Sequence, residues 1–534
     1  MGEQDSQVEA YQTKLVSKDD QLLMTLGYRP ELKRNFTIIQ VFGIAFSIMS
    51  LLPSIASVLF FNVAAGGVGM TWGWLIPSCC ILSVGVAMAE MGSAMPTSGG
   101  LYWWTFKFSP ASVKKPLCWL AGYANTLGLI GGLCGIDYGF AAMFLSVPAI
   151  TRPDFVPNKY ETYGVFVACV LSHMAVGCIA TKHLSKLQTF CILINMLVIV
   201  ITVIALPIGT VRQRPLNSGS FVYTNKTNLT TWPYGWTFIL AWLSPIWTIG
   251  AFDSCVHMSE EAANAATAVP FGIVLSIAMC GILGFFVMSI LAACINPDTS
   301  AVLGTPLGQP MAQIYLDALG PKWTQGMMIM LFFVQWFMGL SILIAASRQT
   351  WAFSRDGALP FSGFIKKINL TYGTPMRALL FDGAIALVLG LLVLVDTAAA
   401  NALFALPVGS NGLAWLLSIA SRHIVFDKNA FKPGPFYLGH FWSRVNGLFA
   451  TTYLIFAIFF IATFPTGGPS PTKETMNYSG VIFAAVWGGS LVYYFVDGRK
   501  WFEGPKVTTE VFIAEEPESV DVPESKENKV VQNE

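Results

Sequence analysis

Asp253 and His257 stand one helical turn apart in the run Ser244-Pro245-Ile246-Trp247-Thr248-Ile249-Gly250-Ala251-Phe252-Asp253-Ser254-Cys255-Val256-His257. A carboxyl group in so apolar a stretch is expensive unless it faces a cavity or a partner, and it can carry a proton taken up on one side of a barrier and released on the other. Asp253 could equally hold an amine directly or pair with His257. His257 itself is either a neutral, hydrogen-bonded residue or a relay for that proton. Gly250 lowers the cost of unwinding here, and the hydroxyls of Thr248 and Ser254 can bond backbone groups that a break sets free.

A second run, Ser47-Ile48-Met49-Ser50-Leu51-Leu52-Pro53-Ser54-Ile55-Ala56-Ser57, places a proline among four serines. Pro53 lacks a backbone donor and clashes with the preceding turn, which predicts a break near Ser50 to Ser54. A helix that restarts presents free N–H groups, and one that stops presents free carbonyls. The amides near Ser54, Ile55 and Ala56 therefore suit a carboxylate, and the carbonyls near Thr248 and Ile249 suit an ammonium. The candidate substrate site is Ser50, Pro53, Ser54, Ile55, Ala56, Thr248, Ile249, Gly250, Phe252 and Asp253, with Asn125 as a hydrogen-bonding wall.

Other ionisable residues lie near these runs. Asp137, beside Tyr138, could draw a cationic group into an outer vestibule or take part in proton coupling. Glu90 could pair with an inner Arg or Lys or be protonated in turn. Glu260 and Glu261 follow the broken run at the inner face, where pairing with loop cations such as Arg348 or Arg355 would make an inner gate. The ten cysteines form no Cys-x-x-Cys pair, so neither a metal nor another cofactor is expected. Hydrolase, metalloprotease and phosphate-loop patterns are absent, which argues against an enzyme.

The elements that must hold these residues are membrane spans. Of 534 residues 54% are apolar and 11% charged, and the net charge is +1, while mean hydropathy is +0.59. Soluble domains carry about a quarter charged residues. The balanced charge gives no reason to expect nucleic acid as a partner. Twelve apolar stretches are long enough to cross a bilayer, near 38–61, 69–91, 117–147, 162–180, 187–209, 234–257, 270–294, 326–346, 378–396, 400–420, 445–464 and 480–497. They are continuous rather than alternating, which excludes a porin-like barrel. Residues 1–37 and 498–534 read as cytoplasmic tails around a transporter domain at 38–497, the end being largely disordered and 20–32 able to form a short helix, either amphipathic with Lys33 and Arg34 near lipid headgroups or simply covering a gate. No cleavable signal peptide is expected. With the N-terminus inside, most of the 31 Lys and Arg fall on the cytoplasmic side. Sequons at Asn225, Asn228 and Asn477 then face outward as glycosylation candidates, and those at Asn35 and Asn369 face inward.

The two broken runs open two sets of five spans, the arrangement that marks a carrier site between inverted repeats. The sequence resembles the amino acid–polyamine–organocation superfamily, and within it the fungal amino acid/choline transporter group. The resemblance rests on Leu26-Gly27-Tyr28 to Leu32-Lys33-Arg34, on Phe42 to Ser57, on Met88-Ala89-Glu90 with Pro96-Thr97-Ser98-Gly99-Gly100-Leu101-Tyr102, on Trp247 to Glu261, on Ala293 to Asp298, on Ser347 to Asp356 and on Lys432 to Gly439. It covers about residues 20 to 506. Within the group, Ile136-Asp137-Tyr138-Gly139 and Phe252 to His257 are similar to the GABA (4-aminobutyrate) permeases. The resemblance implies an all-α, LeuT-like fold of twelve spans: a 5+5 inverted repeat with helices 1 and 6 broken, plus two C-terminal helices. It also implies that Phe252 stacks over the substrate as a gate and that Glu90 is the group's acidic residue. Some proton-coupled bacterial relatives carry a lysine in the middle of helix 5. The corresponding Phe190-Cys191-Ile192-Leu193-Ile194-Asn195-Met196-Leu197 has none, so the proton carrier is sought among Asp253, Glu90 and Asp137, while Ser341 and the helix 1 serines could offer oxygens to a cation.

The expected function is secondary transport of GABA or a related ω-amino compound by alternating access, driven by protons, in the plasma membrane or the vacuole. A polyamine or choline-like cation is the alternative cargo, and a non-transporting nutrient sensor the alternative class.

Overall fold

The computed structural model describes residues 17–507 apart from residue 153, 180–183, 370–373, 396, 425–430, 466 and 473–475. The expected disorder beyond residue 507 thus falls outside the described residues. Regular structure in the described part is helical, with only two isolated β-bridges. Eleven helices are long and apolar enough to cross a bilayer: spans 1 (Ile38–Val63), 2 (Gly66–Ala94), 3 (Lys114–Thr151), 4 (Lys159–Cys178), 5 (Lys186–Gln213), 7 (Ala265–Cys294), 8 (Pro310–Arg355), 9 (Met376–Leu394), 10 (Leu403–His423), 11 (His440–Ile461) and 12 (Ser479–Val496). The expected sixth span is present in pieces, Tyr234–Leu240, Leu243–Thr248 and Ser254–His257. None of its pieces is long enough to cross alone, because Gly250 and the polar residues after it do not continue the helix.

The packing has the symmetry that a five-plus-five repeat requires. Spans 2 and 7 lie along each other, as do 3 and 8, and 4 packs on 9. Span 3 also packs on span 10 and span 8 on span 5, so exchanging 3 with 8 and 5 with 10 maps one contact onto the other. At the 2–7 interface the indole of Trp74 fills the space over Gly284 and donates to the Gly281 carbonyl at 3.2 Å. Small residues allow the close approach that membrane helices depend on.

Two segments differ from the sequence expectation. Span 8 extends well beyond 326–346, with Gly320 at φ 73° joining an outer helix to the membrane helix. Arg348 and Arg355 therefore project from its last turns, buried, and are not loop residues. At the inner end, a helix over Lys18–Thr25 is capped by Ser17, whose hydroxyl accepts from the Asp20 N–H at 3.1 Å. It buries Leu23 and the nearby Tyr28 against the bundle. Arg34 turns inward to Asp20 at 2.8 Å and to the carbonyls of Ser259 and Ala262 at 3.2 and 2.8 Å, away from lipid headgroups, because those buried acceptors offer it several charge-assisted bonds at once. The segment thus packs against the end of the bundle.

Candidate functional site

Span 1 breaks at a single residue. Ser50 adopts φ 35° and ψ 68° between helices Ile38–Met49 and Leu51–Val63, a left-handed conformation that costs a serine about 1–3 kcal/mol and collects at functional sites. Its hydroxyl donates to Asn195 Oδ1 of span 5 at 2.7 Å, tying the break to that helix. The Ser54 N–H already bonds the Ser50 carbonyl at 3.0 Å. The restart therefore frees the Leu51 and Leu52 amides, Pro53 having none. The amides of Ile55 and Ala56 lie a turn further on, inside the helix. The free amides accordingly sit earlier than the sequence suggested, since the chain tolerates Pro53 in the first turn of the new helix. The hydroxyls of Ser54 and Ser57 donate back to the Met49 and Pro53 carbonyls.

Span 6 unwinds from Ile249 to Asp253. Among the described residues, no backbone N–H donates to the carbonyls of Thr248, Ile249 or Gly250. The Thr248 hydroxyl is likewise buried without a partner. Buried acceptors in such a cluster suit an ammonium group.

Beside the unwound stretch of span 6 lies a small cavity of about 30 Å³. Ile48 bounds it on span 1; Thr248, Gly250 and Ala251 on the unwound stretch; Gly132 and Ile136 on span 3; Met338 and Ile342 on span 8; Asn411 and Trp415 on span 10. Thr248 and Gly250 are thus the sequence candidates on its wall. Ser50, Pro53, Ser54, Ile55, Ala56, Ile249, Phe252, Asp253 and Asn125 do not line it. Phe252 is buried and stacks on Trp415, centroids 4.5 Å apart, so Trp247 and Trp415 are the aromatic rings that face the cavity.

Asp253 sits behind this wall, fully buried. Its Oδ2 accepts from Asn125 Nδ2 at 2.9 Å and from the Trp415 indole N–H at 3.2 Å, and lies 3.6 Å from His257 Nε2. Asn125 also donates to Asn411 at 3.3 Å, which reaches the cavity. Asp253 Oδ1 has no partner among the described residues. Asn411 and Trp415 escaped the sequence reading because one asparagine and one tryptophan in an apolar span look like ordinary packing. Ser341, the other candidate oxygen donor, accepts from Gln188 Nε2 of span 5 at 3.3 Å.

Two buried ion pairs join the segment after span 6 to the last turns of span 8. Arg355 forks onto both oxygens of Glu260 at 3.0 and 3.1 Å, and Arg348 Nε donates to Glu261 Oε1 at 2.8 Å. The Ser98 N–H donates to Glu260 at 3.0 Å, and His257 Nδ1 faces the Ser98 carbonyl at 3.0 Å. Asp356, next to Arg355, accepts from Tyr102 at 2.7 Å, from Tyr28 at 3.0 Å and from the Lys506 N–H at 3.1 Å. Burial pushes its carboxyl above the usual carboxylate range, and the Arg355 charge only partly opposes this.

Other sequence candidates lie apart from the cavity. Glu90 binds Arg422 at 2.8 Å, the Ser443 hydroxyl and the Leu438 N–H, tying span 2 to spans 10 and 11. Asp137 is fully buried and faces His173 of span 4 at 3.2 Å; it is not in an open vestibule. The side-chain nitrogens of Asn228 and Asn477 bond backbone carbonyls. The Asn225 side-chain Oδ1 accepts from the Thr227 N–H and hydroxyl.

A helical bundle with many bilayer-long spans, two of its segments interrupted and a cavity beside the second break, defines a multi-pass membrane transporter. The chain belongs to the amino acid permease family, whose model matches residues 36–487. It is 44% identical to the GABA-specific permease of Saccharomyces cerevisiae over 490 residues, 91% of this chain and 86% of that one. An uncharacterised amino-acid permease of Schizosaccharomyces pombe is 34% identical over 510 residues, 95% and 91% of the two chains. A Candida albicans protein provisionally named as a polyamine transporter is 27% identical over 500 residues, 92% and 90%. Membership of this family makes the chain an amino acid transporter and not an enzyme.

Proposed function

We propose that this transporter moves GABA or a related ω-amino acid into the cell together with a proton held by Asp253 and His257. The observation that carries the proton reading is a count of acceptors. A carbonyl only accepts, so the 3.0 Å contact to Ser98 puts a proton on His257 Nδ1. A neutral imidazole then turns a lone pair at Nε2 toward Asp253 Oδ2, 3.6 Å away. The two acceptors are compatible when the pair holds one more proton. Asn125 and Trp415 keep donating to Oδ2 after that proton leaves, so its release does not strand a bare buried carboxylate.

The cargo reading rests on the similarity to the yeast GABA-specific permease and on the cavity. The Leu51–Leu52 amides and the Thr248–Gly250 carbonyls, freed at the two breaks, are complementary to a carboxylate and an ammonium, and the cavity beside Thr248 and Gly250 is walled mostly by apolar side chains. A polyamine needs acidic groups on the wall, and the lining contains neither Asp nor Glu. The inner ion pairs close one side and open as spans 1, 2, 6 and 7 rock against the rest. The tails are cytoplasmic in this reading, the domain spans 38–497, and the plasma membrane is the preferred location.

Uptake of labelled GABA in cells lacking their own carriers tests this, with putrescine and choline as competitors and a protonophore added. Saturable uptake that collapses with the protonophore and resists choline supports the proposal. Entry of putrescine or choline instead replaces the cargo; binding without movement makes the chain a sensor.

A further inference from the structure

Behind the Ile136 and Met338 wall of the cavity, a second aspartate and histidine repeat the same arrangement without touching it. His173 Nε2 lies 2.8 Å from the Trp336 carbonyl of span 8, and its Nδ1 lies 3.2 Å from Asp137 Oδ2 of span 3. Both side chains are fully buried. The carbonyl takes an N–H from Nε2, so Nδ1 and Oδ2 face each other as two acceptors unless a proton lies between them. Span 8 comes close here because Gly339 has no side chain: a β-carbon there would collide with Asp137 Oδ1 and His173 Cε1.

We propose that Asp137 and His173 form a second proton-binding site, set in the scaffold of spans 3, 4 and 8, which keeps its proton while the pair at Asp253 exchanges one. Only the contrast with Asp253 rests on the transport reading above. The difference between the sites lies in what remains when the proton goes. Asp253 retains two N–H donors, whereas among the described residues Asp137 retains only the Cys169 thiol within reach, a weak donor; the Oδ1 of each aspartate has no partner among those residues. Losing the proton would leave a buried carboxylate against an imidazole lone pair, so this site holds on to it.

Among the described residues, the surroundings supply no competing charge. Span 4 presents Cys169, its sulfur 3.9 Å from His173 Nε2. Span 3 adds Cys134, which faces the Ala386 carbonyl of span 9, and span 1 presents Ser57 through Gln335. Asp382 of span 9 is turned to Thr350, further along span 8. The donor atoms of Asp137, Cys169 and His173 lie within 4.8 Å of one another. A metal ion bridging all three would compete with the Trp336 carbonyl for Nε2, the nitrogen nearest the sulfur, and a proton needs no such displacement.

The test uses the purified full-length chain in nanodiscs. Thermal unfolding of the wild type is expected to shift to lower temperature as pH rises past the point where the pair gives up its proton. In Asp137→Asn the amide N–H meets the lone pair of neutral His173, so that alkaline shift is expected to vanish. Infrared spectra are expected to show a protonated-carboxyl or imidazolium band that GABA does not move, retained in Asp253→Asn and lost in Asp137→Asn. An equal alkaline shift in wild type and Asp137→Asn overturns the proposal. So does a band in the wild type that disappears on substrate binding, a readout that stands even where Asp137→Asn does not fold. Zinc that raises the unfolding temperature of the wild type but not of Cys169→Ala would make the cluster a metal site instead. None of these readouts needs transport, so a failed uptake assay leaves them decisive.

Discussion

The phenol of Tyr28 donates to Asp356 Oδ2 at 3.0 Å, joining the N-terminal segment to the end of span 8 across 328 residues of sequence. Tyr102 donates to the same oxygen and the Lys506 N–H to the other. Three separate parts of the chain thus donate to one carboxylate at the end of span 8. The guanidinium of Arg355, bound to Glu260, also lies over the Tyr28 ring at 4.1 Å. In the proposed transport cycle, opening this side separates Glu260 from Arg355, whose guanidinium the Tyr28 ring covers. Tyr28→Phe removes a hydrogen bond to a carboxylate, about 1.5–3 kcal/mol. It is expected to speed GABA exchange from preloaded vesicles about tenfold, at about 1.4 kcal/mol per factor of ten. An unchanged exchange rate would show that the N-terminal segment rides with the gate and does not hold it.

Asp356 also gives the gate a pH dependence with a definite sign. Its carboxyl is raised above its ordinary value by burial in the closed gate, and an open gate exposes it to water. The closed form therefore binds the proton more tightly. Closure gains stability as inner pH falls through the raised value, and that gain is lost as pH rises again. Acidifying the vesicle lumen on the inner side is expected to slow exchange in the wild type and to have a smaller effect in Asp356→Asn. Exchange that speeds up on inner acidification in the wild type would reverse the assignment.

The Arg355–Glu260 pair is buried and bidentate. Removing one member leaves a charge without its partner, at a cost of about 3–5 kcal/mol. Glu260→Gln is expected to lower both the amount of protein at the membrane and its unfolding temperature more than Glu261→Gln does. The reason is that Arg348 retains the Ser347 hydroxyl and the Ile344 carbonyl. Thermal unfolding of the two purified variants decides the order.

The breaks were legible in sequence because they depend on local chemistry: Pro53 and its serines, and Gly250 followed by Asp253, disrupt helices whatever surrounds them. What they face was not legible. The restart at Leu51 shifted the free amides by a turn, which depends on the conformation of Ser50 and its anchor at Asn195. Asp253 could be placed near the cavity, but not behind it, because that position is set by Asn125 and Trp415 from spans far apart in the chain. His173 carried no local signal at all. Its meaning arises only when span 4 brings it to Asp137 and the Trp336 carbonyl.

Asp253→Asn tests which group moves the proton. Asparagine preserves the shape and an acceptor for Asn125 and Trp415, but it cannot take up and release a proton at this site. Accumulation of GABA against its gradient is expected to fall at least tenfold, while exchange of internal for external GABA, which needs no net proton flow, falls far less. The measurement is the ratio of protonophore-sensitive uptake to exchange. Equal losses of both would assign Asp253 to substrate binding rather than to coupling.

Trp415 joins the cavity to Asp253, since its ring lines the one and its indole N–H bonds the other. Trp415→Phe retains an aromatic wall against Phe252 but removes the N–H donor. That leaves Asn125 as the remaining neutral donor to the ionised carboxylate. The lost charge-assisted bond, about 1.5–3 kcal/mol, destabilises the deprotonated form of the pair and makes proton release harder. The alkaline limb of the uptake profile is expected to move to higher pH, with a smaller change in KM. A large rise in KM with an unmoved pH profile would instead make the indole a wall for the cargo, with no hold on the proton.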